Sequence, residues 1–259
     1  MLSSASFLRR ADDGKAVAEF LREKKDDLPS LYDWAFDDHL ATTEFGIAFT
    51  GKTSFDRTLE LKAGLRDLVL STRCEAEHAR IATYFIKVWG GITRFSKVSE
   101  TLESFSSHRG SPMVPAGFKP SFKLISSWSK WASIVCPDWA CIYDARVAYS
   151  LNAINYLTGS EHPIFPMPEG RNTRLKMLDI TTLLLAERLL PGESSDPKSM
   201  RKKHFVPEQD AYLRYLSIVR KVSKNLWDDE KHIHEVEMLL FALADGDIYQ
   251  EVFNRLAKV

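Results

Sequence analysis

Cysteine is scarce in this chain of 259 residues: Cys74, Cys136 and Cys141 are too few, and odd in number, for a disulfide-stapled scaffold. None stands in a C-x-x-C pattern with a downstream partner pair, so reduced thiols in a reducing compartment are expected. Long apolar runs are missing as well. The longest clean stretch, Ile180 to Ala186, is hemmed in by Lys176, Asp179, Glu187 and Arg188, whereas a bilayer-spanning helix needs ~20 apolar residues. The opening MLSSASFLRR is interrupted by Arg9, Arg10, Asp12 and Asp13 before its apolar part reaches the length of a secretory signal. A cytoplasmic protein with no membrane partner is therefore expected, a transit peptide being the alternative. Net charge is also absent, since 35 Lys and Arg face 35 Asp and Glu, which leaves no surplus for nonspecific coating of nucleic acid. Strand signals are few: period-two alternation is short, and no pair of alternating runs flanks an Asn-Gly or Asp-Gly hairpin turn.

What the chain does have is apolar material, 44% of its residues, enough for a real core, and that material is spaced helically. Ala82, Phe85, Ile86 and Trp89 fall at i, i+3, i+4 and i+7, and the Gly90-Gly91 that follows predicts a helix stop, because glycine takes the left-handed conformation without a Cβ clash. Leu124, Trp128, Trp131 and Val135 form a second stripe. Val147, Leu151, Ile154 and Leu157 form a third that opens just behind Asp144, and Tyr212, Tyr215, Leu216, Val219, Val222 and Leu226 form a fourth. Pro, Gly and Ser cluster at Ser106–Pro120, Gly159–Gly170 and Pro191–Pro207, which predicts loops. One compact all-α unit over residues 1–259 is expected, without repeats or low-complexity tracts. The zero net charge hides an imbalance: Lys198 to Lys224 carries eight bases and two acids, and Asn225 to Val259 carries three bases and eight acids.

The stretch from Phe122 to Leu151 holds the candidate chemistry. Lys130 sits on a short apolar helix, Pro137 breaks it, and a new helix begins at Asp144, so the two groups are placed to face one cleft. A lysine held in apolar surroundings loses its proton more readily and can attack an electron-poor carbon. An aspartate at a helix start is an ionised carboxylate, suited to stabilising a cation or orienting water. Cleavage of a nucleoside N-glycosidic bond asks for both, because the sugar becomes oxocarbenium-like as the base departs. A flipped base also needs an aromatic wall, for which Trp89, Trp128, Trp131, Trp139 and Tyr143 are at hand.

Ser129-Lys130-Trp131, Pro137 and Ile142-Tyr143-Asp144-Ala145-Arg146-Val147 resemble the S-K-aromatic … P … I-Y-D-x-x-V pattern of bacterial proteins with the 8-oxoguanine DNA glycosylase fold. These belong to the helix-hairpin-helix base-excision glycosylases. Trp89-Gly90-Gly91-Ile92 is similar to a W-G-G-[IV] stretch of the same proteins, and Glu237 to Ala244 resembles their E-M-x-L-F-x-L-A segment, so the matches span residues 89–244 in order. The resemblance implies a two-lobed all-α fold gripping DNA in a cleft. Its approximate lobes would be 75–165, helix-hairpin-helix-like, and 1–74 plus 166–259. It further implies a monomeric enzyme without cofactor that flips a modified base from double-stranded DNA, with Asp144 and Lys130 catalytic and Trp89, Gly90, Gly91, Trp128 and Tyr143 around the base. Lys123, Ser129, Arg146, Arg171, Asn172, Lys202 and Lys203 would contact DNA. Branches of this fold take oxidised purines, and stand-alone bacterial members act against hypermodified phage bases; a noncanonical base is the expectation here. Leu124 to Ser129 has no glycine where the family's hairpin carries them.

Each feature has a plainer account. Asp144 is a good helix N-cap, Lys123 and Lys130 share a helix face, Trp128 and Trp131 lie on a core stripe, Gly90-Gly91 is a C-cap, and Lys198 to Phe205 is a solvated loop. Arg171 and Asn172 open a predicted helix, where they would bind phosphate or cap. His232 and His234 stand near Glu235 and Glu237, but i, i+2 residues diverge on a helix, so no metal site is expected. The rival functions are a catalytically inactive DNA- or protein-binding module of the same fold, and an unrelated helical enzyme in which Lys130 forms a Schiff base with a small carbonyl compound.

Overall fold

The computed structural model describes residues 13–170, 172–190, 193 and 196–258. Among these the regular elements are all helical, and the sole β feature is an isolated parallel bridge between Ile164 and Phe205. The elements are α1 (Asp13–Leu21), α2 (Leu28–Leu31), α3 (Asp38–Phe45), α4 (Ser54–Ser71), α5 (Glu75–Thr83), a π-helical turn (Tyr84–Trp89), α6 (Val98–Ser106), α7 (Ile125–Val135) and α8 (Ala145–Thr158). They continue with α9 (Thr173–Met177), α10 (Ile180–Arg188), α11 (Pro197–His204), α12 (Glu208–Trp227), α13 (Ile233–Leu243) and α14 (Asp247–Leu256).

Local chemistry accounts for the boundaries. Thr53 and Asp56 form a reciprocal capping box at the start of α4. Asp37, Asp144, Asn172, Asp179 and Asp196 accept backbone N–H groups at the starts of α3, α8, α9, α10 and α11, each worth about 1 kcal/mol. The fourth apolar stripe becomes α12, whose buried face runs from Ala211 to Leu226 and packs on α1 and α13. One expected loop is overturned: within Pro191–Pro207 the basic run forms α11, because Asp196 caps it and Pro197 occupies its first turn, where a missing N–H costs nothing.

The core is organised around α8. Every residue from Val147 to Tyr156 is buried, the signature of a helix covered on all sides. Its polar residues are satisfied by neighbouring backbone: Ser150 Oγ donates to the Leu240 carbonyl at 2.6 Å, Asn155 Nδ2 to that of His162 at 2.8 Å, and the Asn152 amide exchanges two bonds with Phe165. Those bonds fasten the Gly159–Gly170 loop to the core. Helices α1, α10, α13 and α14 pack on α8, whereas α4, α6 and the π turn pack on α7. In these contacts α8 groups with the C-terminal helices and α4 with α7. The short α2 touches both α4 and α13. The segment from Cys136 to Asp144 crosses from one group to the other.

Candidate functional site

Lys130 and Asp144 meet at that crossing. Lys130 is only 4% exposed, its side chain pointing back toward the start of α7 as helical side chains do, so that Nζ donates to the Ser126 carbonyl at 3.1 Å and lies 3.7 Å from Asp144 Oδ2. Asp144 divides its two oxygens between two tasks. Oδ1 accepts the Arg146 and Val147 amides at 3.0 and 3.2 Å, capping α8, while Oδ2 faces the amine. The capping and the chemical accounts of Asp144 are thus compatible. Burial pushes the Lys130 amine below the ordinary lysine range, with Asp144 and Glu237 opposing that shift in part. A buried amine that gives up its proton more readily is a nucleophile or a base.

Gly90 is what lets Lys130 lie there. A Cβ on Gly90 would come within 2.6 Å of Lys130 Cε and 2.8 Å of the Ile86 carbonyl oxygen, so the lysine stem runs against bare backbone. The expected helix stop falls on Gly91, at φ +65°. The helix does not reach it in regular form: residues Tyr84–Trp89 widen to a π turn, a geometry often found at functional sites and invisible to a 3.6-residue period. Trp89 stacks on Phe85 with ring centres 4.3 Å apart, and its carbonyl accepts the Trp34 indole N–H at 2.9 Å. Two buried polar atoms of these segments, Trp89 Nε1 and Ser126 Oγ, have no hydrogen-bond partner.

Trp128 and Tyr143, expected around a flipped base, are both buried. Trp128 is two residues from Lys130 and so on the other face of α7, where it packs on Phe105 and Tyr212 and donates to the Ser121 carbonyl. Tyr143 is fully buried, its hydroxyl donating to the Pro166 carbonyl. Neither lines an opening; both belong to the core. Beside the Asp144 helix lie Trp34 and Phe241, partly exposed, with ring centres 5.3 Å apart, and the Arg146 guanidinium lies over both. Trp34 was not singled out by periodicity, because it lies in a short irregular stretch with no face to define.

The expected DNA contacts separate into three kinds. Ser129 is fully buried, accepting the Tyr143 amide at 3.0 Å, so it ties α7 to the Asp144 segment and is withdrawn from any direct DNA contact. Arg146 pairs with Asp245 at 2.7 Å, and Asn172, which caps α9, donates to the same carboxylate at 2.8 Å. Lys123 and Lys202 are exposed, and Lys203 is exposed but paired with Glu193. Arg171 lies outside the described residues. Ahead of α7, Leu124 adopts φ +60° and ψ +21°, a left-handed conformation usually left to glycine, at a cost of roughly 1–2 kcal/mol. The backbone therefore makes the turn without the glycine that the sequence lacks.

Glu237 brings the last segment to the junction. It is buried, accepts the Ile142 amide at 2.8 Å and stands 3.8 Å from Lys62 Nζ. Burial pushes its carboxyl up, but the Lys62 ammonium, the His234 ring 3.8 Å away and the Ile142 amide together outweigh burial and hold it below the ordinary carboxylate range. A shallow groove lined by Phe45, Arg80, Tyr84 and Val88 and a small cavity beside Ile154 and His162 are lined by neither Lys130 nor Asp144. Among the described residues no helix is long and apolar enough to cross a membrane. Comparison with protein-family models, with curated proteins and with solved structures gives no match for this chain.

Proposed function

We propose that the chain is a DNA glycosylase that flips a modified base from double-stranded DNA and breaks its N-glycosidic bond, with Asp144 and Lys130 as the reacting pair. One observation carries the proposal: Trp89-Gly90, Lys130, Ile142–Asp144 and Glu237–Phe241, separated by up to about 150 residues of chain, come together at one junction. Nothing in core packing alone requires a lysine amine and a carboxylate at its centre, since burying charge is costly.

The proposed chemistry uses this geometry. As the bond from C1′ to the base nitrogen breaks, its electron pair leaves with the base, which takes up a proton from solvent. The sugar becomes oxocarbenium-like, and Asp144 Oδ2, ionised and unencumbered by capping, stabilises that charge. A water oxygen then bonds to C1′ and its proton passes to the carboxylate, leaving an abasic site. Alternatively the neutral Lys130 amine bonds to C1′, and opening of the sugar ring gives an imine that borohydride reduces. Trp34 and Phe241, the partly exposed rings beside Asp144, supply the stacking surface, and exposed Lys123 and Lys202 supply phosphate contacts. With Lys130 and Asp144 side chains 5% and 16% exposed, entry of a base requires the wall over them to open.

The test is an abasic-site assay on DNA carrying 8-oxoguanine, uracil, alkylated bases or phage-type modified cytosines, comparing wild type with Asp144→Asn and Lys130→Ala. Base release that Asp144→Asn abolishes establishes the activity, and a borohydride-trapped adduct lost in Lys130→Ala adds the imine route. DNA binding without base release from any substrate would overturn catalysis and leave a binding module.

A further inference from the structure

Bond cleavage makes no use of the cluster formed by Cys141, His234 and Glu237. One donor atom from each lies within 4.8 Å of the others, and His234 Nδ1 stands 3.8 Å from Glu237 Oε2. Sulfur, imidazole nitrogen and carboxylate oxygen are the donors that zinc takes, and tetrahedral zinc with bonds of about 2.0–2.3 Å holds them roughly 3.3–3.6 Å apart. The imidazole–carboxylate edge is therefore nearly in place, and the sulfur side closes by up to about 1 Å. His234 and Glu237 share a face of α13 because they are three residues apart, and Cys141 reaches them from the Cys136–Asp144 crossing. His232, whose spacing to His234 predicted divergence, does turn away, stacking on Trp227 and pairing with Glu235.

The donors are held from behind as ligands of an ion are. His234 Nε2 is 3.0 Å from the Pro137 carbonyl, which assigns the proton to Nε2 and leaves the Nδ1 lone pair facing the cluster. A metal-binding histidine is commonly fixed by such a bond from its other nitrogen. Glu237 accepts the Ile142 amide at 2.8 Å, and the Tyr212 and Tyr215 hydroxyls donate to the Cys141 and Ile142 carbonyls at 2.9 and 2.8 Å. The Cys141 thiol directs its proton at the Ile233 carbonyl, 3.5 Å away.

A cation already stands among these donors. Lys62, in the middle of α4, is 8% exposed, and its Nζ lies 3.1 Å from His234 Nδ1 and 3.8 Å from Glu237 Oε2. A charge-assisted bond between ammonium and carboxylate spans about 2.7–2.9 Å, so Lys62 neutralises Glu237 without bonding to it, an expensive arrangement for a buried charge. A divalent ion in the same place would satisfy carboxylate, imidazole and sulfur at bonding distance. We propose that Cys141, His234 and Glu237 form a site for zinc or a related divalent transition-metal ion, which takes the place of the Lys62 ammonium. As the metal–sulfur bond forms, the thiol proton passes to solvent, and Lys62 swings aside with its own proton. Thiolate and carboxylate then balance the two charges of the ion, and water completes four-coordination. The ion would clip α13 to the crossing three residues before Asp144. This inference does not rest on the proposed glycosylase activity.

The experiment is a titration of the full chain, reduced and stripped with a chelator, with Co2+ and then Zn2+. A thiolate-to-cobalt charge-transfer band should saturate at one equivalent and vanish as Zn2+ displaces cobalt, and Zn2+ should raise Tm. Cys141→Ser should lose the band, His234→Gln and Glu237→Gln should weaken binding by more than about tenfold, and Cys74→Ser should leave it unchanged. Lys62→Met removes the competing cation and should tighten binding by at least about tenfold. A wild-type protein without the band, a band that survives in Cys141→Ser, or weaker binding by a Lys62→Met protein with native circular dichroism would overturn the proposal. Should Lys62→Met not fold, the contrast between Cys141→Ser and Cys74→Ser carries the test. Metal uptake by a protein that releases no base would refute the glycosylase proposal and leave this one standing; base release without cobalt uptake would do the reverse.

Discussion

Asp144 combines a structural and a chemical task in one carboxylate, and substitution can take them apart. Oδ1 satisfies two amides at the start of α8, the helix around which the core is built, and losing a cap of this kind costs about 1 kcal/mol, within a range of roughly 0.5–2. Asp144→Ala removes the cap and the charge. Asp144→Ser keeps a capping oxygen and removes the charge, and Asp144→Asn keeps the capping carbonyl while replacing Oδ2 by an amide that faces Lys130. Asp144→Asn and Asp144→Ser should therefore unfold within a few tenths of a kcal/mol of one another in urea, with Asp144→Ala about 1 kcal/mol below them, a Tm gap of about 2–4 °C for a chain of this size. All three should be inactive in base release. If Asp144→Ser is as unstable as Asp144→Ala, the cap does not carry the stability; if Asp144→Ser retains base release, the carboxylate does not carry the chemistry.

Four further outcomes are expected. Gly90→Ala places a methyl group against Lys130 Cε and the Ile86 carbonyl, which should cost about 1–3 kcal/mol and move the Lys130 titration, whereas Gly91→Ala, open in space but at φ +65°, should cost about 1–2 kcal/mol without moving it; equal effects on Lys130 would refute the close approach. Asp245→Asn releases Arg146 from its ion pair, so DNA affinity should fall more steeply with salt, the log–log slope steepening by about one, and an unchanged slope would remove Arg146 from the phosphate contacts. Glu237 is held below the ordinary carboxylate range, so its ionised form contributes stability that is present above the unfolded value of about 4.3 and is lost as pH falls through the folded one; the stability gap to Glu237→Gln should shrink on acidification, and a gap that grows would reverse the sign. Cys74 is exposed, Cys136 is buried and its thiol pushed up to about 12 by burial, and Cys141 is buried with its thiol also raised by burial; a thiol reagent at pH 8 should label Cys74 alone until the protein unfolds.

Helical class and the main helix boundaries were legible in the chain because they depend on neighbours three and four residues apart. The stripes ending at Trp89, Val135, Leu157 and Leu226 became helix faces buried except at Leu124, exposed ahead of α7, and the half-buried Leu157, and Asp144 capped its helix where the pattern opened. The failures have equally local causes. The π turn at Tyr84–Trp89 keeps the apolar residues of a regular helix and changes only its hydrogen bonds. Helix α11 has no apolar face to reveal it and is specified by Asp196 and Pro197 alone. Leu124 takes a left-handed turn that its side chain disfavours, so residue preference gave no sign of it.

The partners of each charged group could not be read along the chain. Lys130 and Asp144 stood out because they lie in one segment, but Lys62 and Trp34 come from a different part of the sequence with no motif to mark them. Spacing placed Trp128 and Lys130 near one another in number while the helix turned them apart. The sequence by itself determined which residues are apolar, how often they recur and where helices start, because those depend on covalent neighbours and on the 3.6-residue turn. Only the tertiary structure decided that a glycine after a π turn lies against the Lys130 stem, that Asp144 faces its amine and that a lysine from α4 pairs with a glutamate from α13, because burial and Coulomb interaction depend on distance through space.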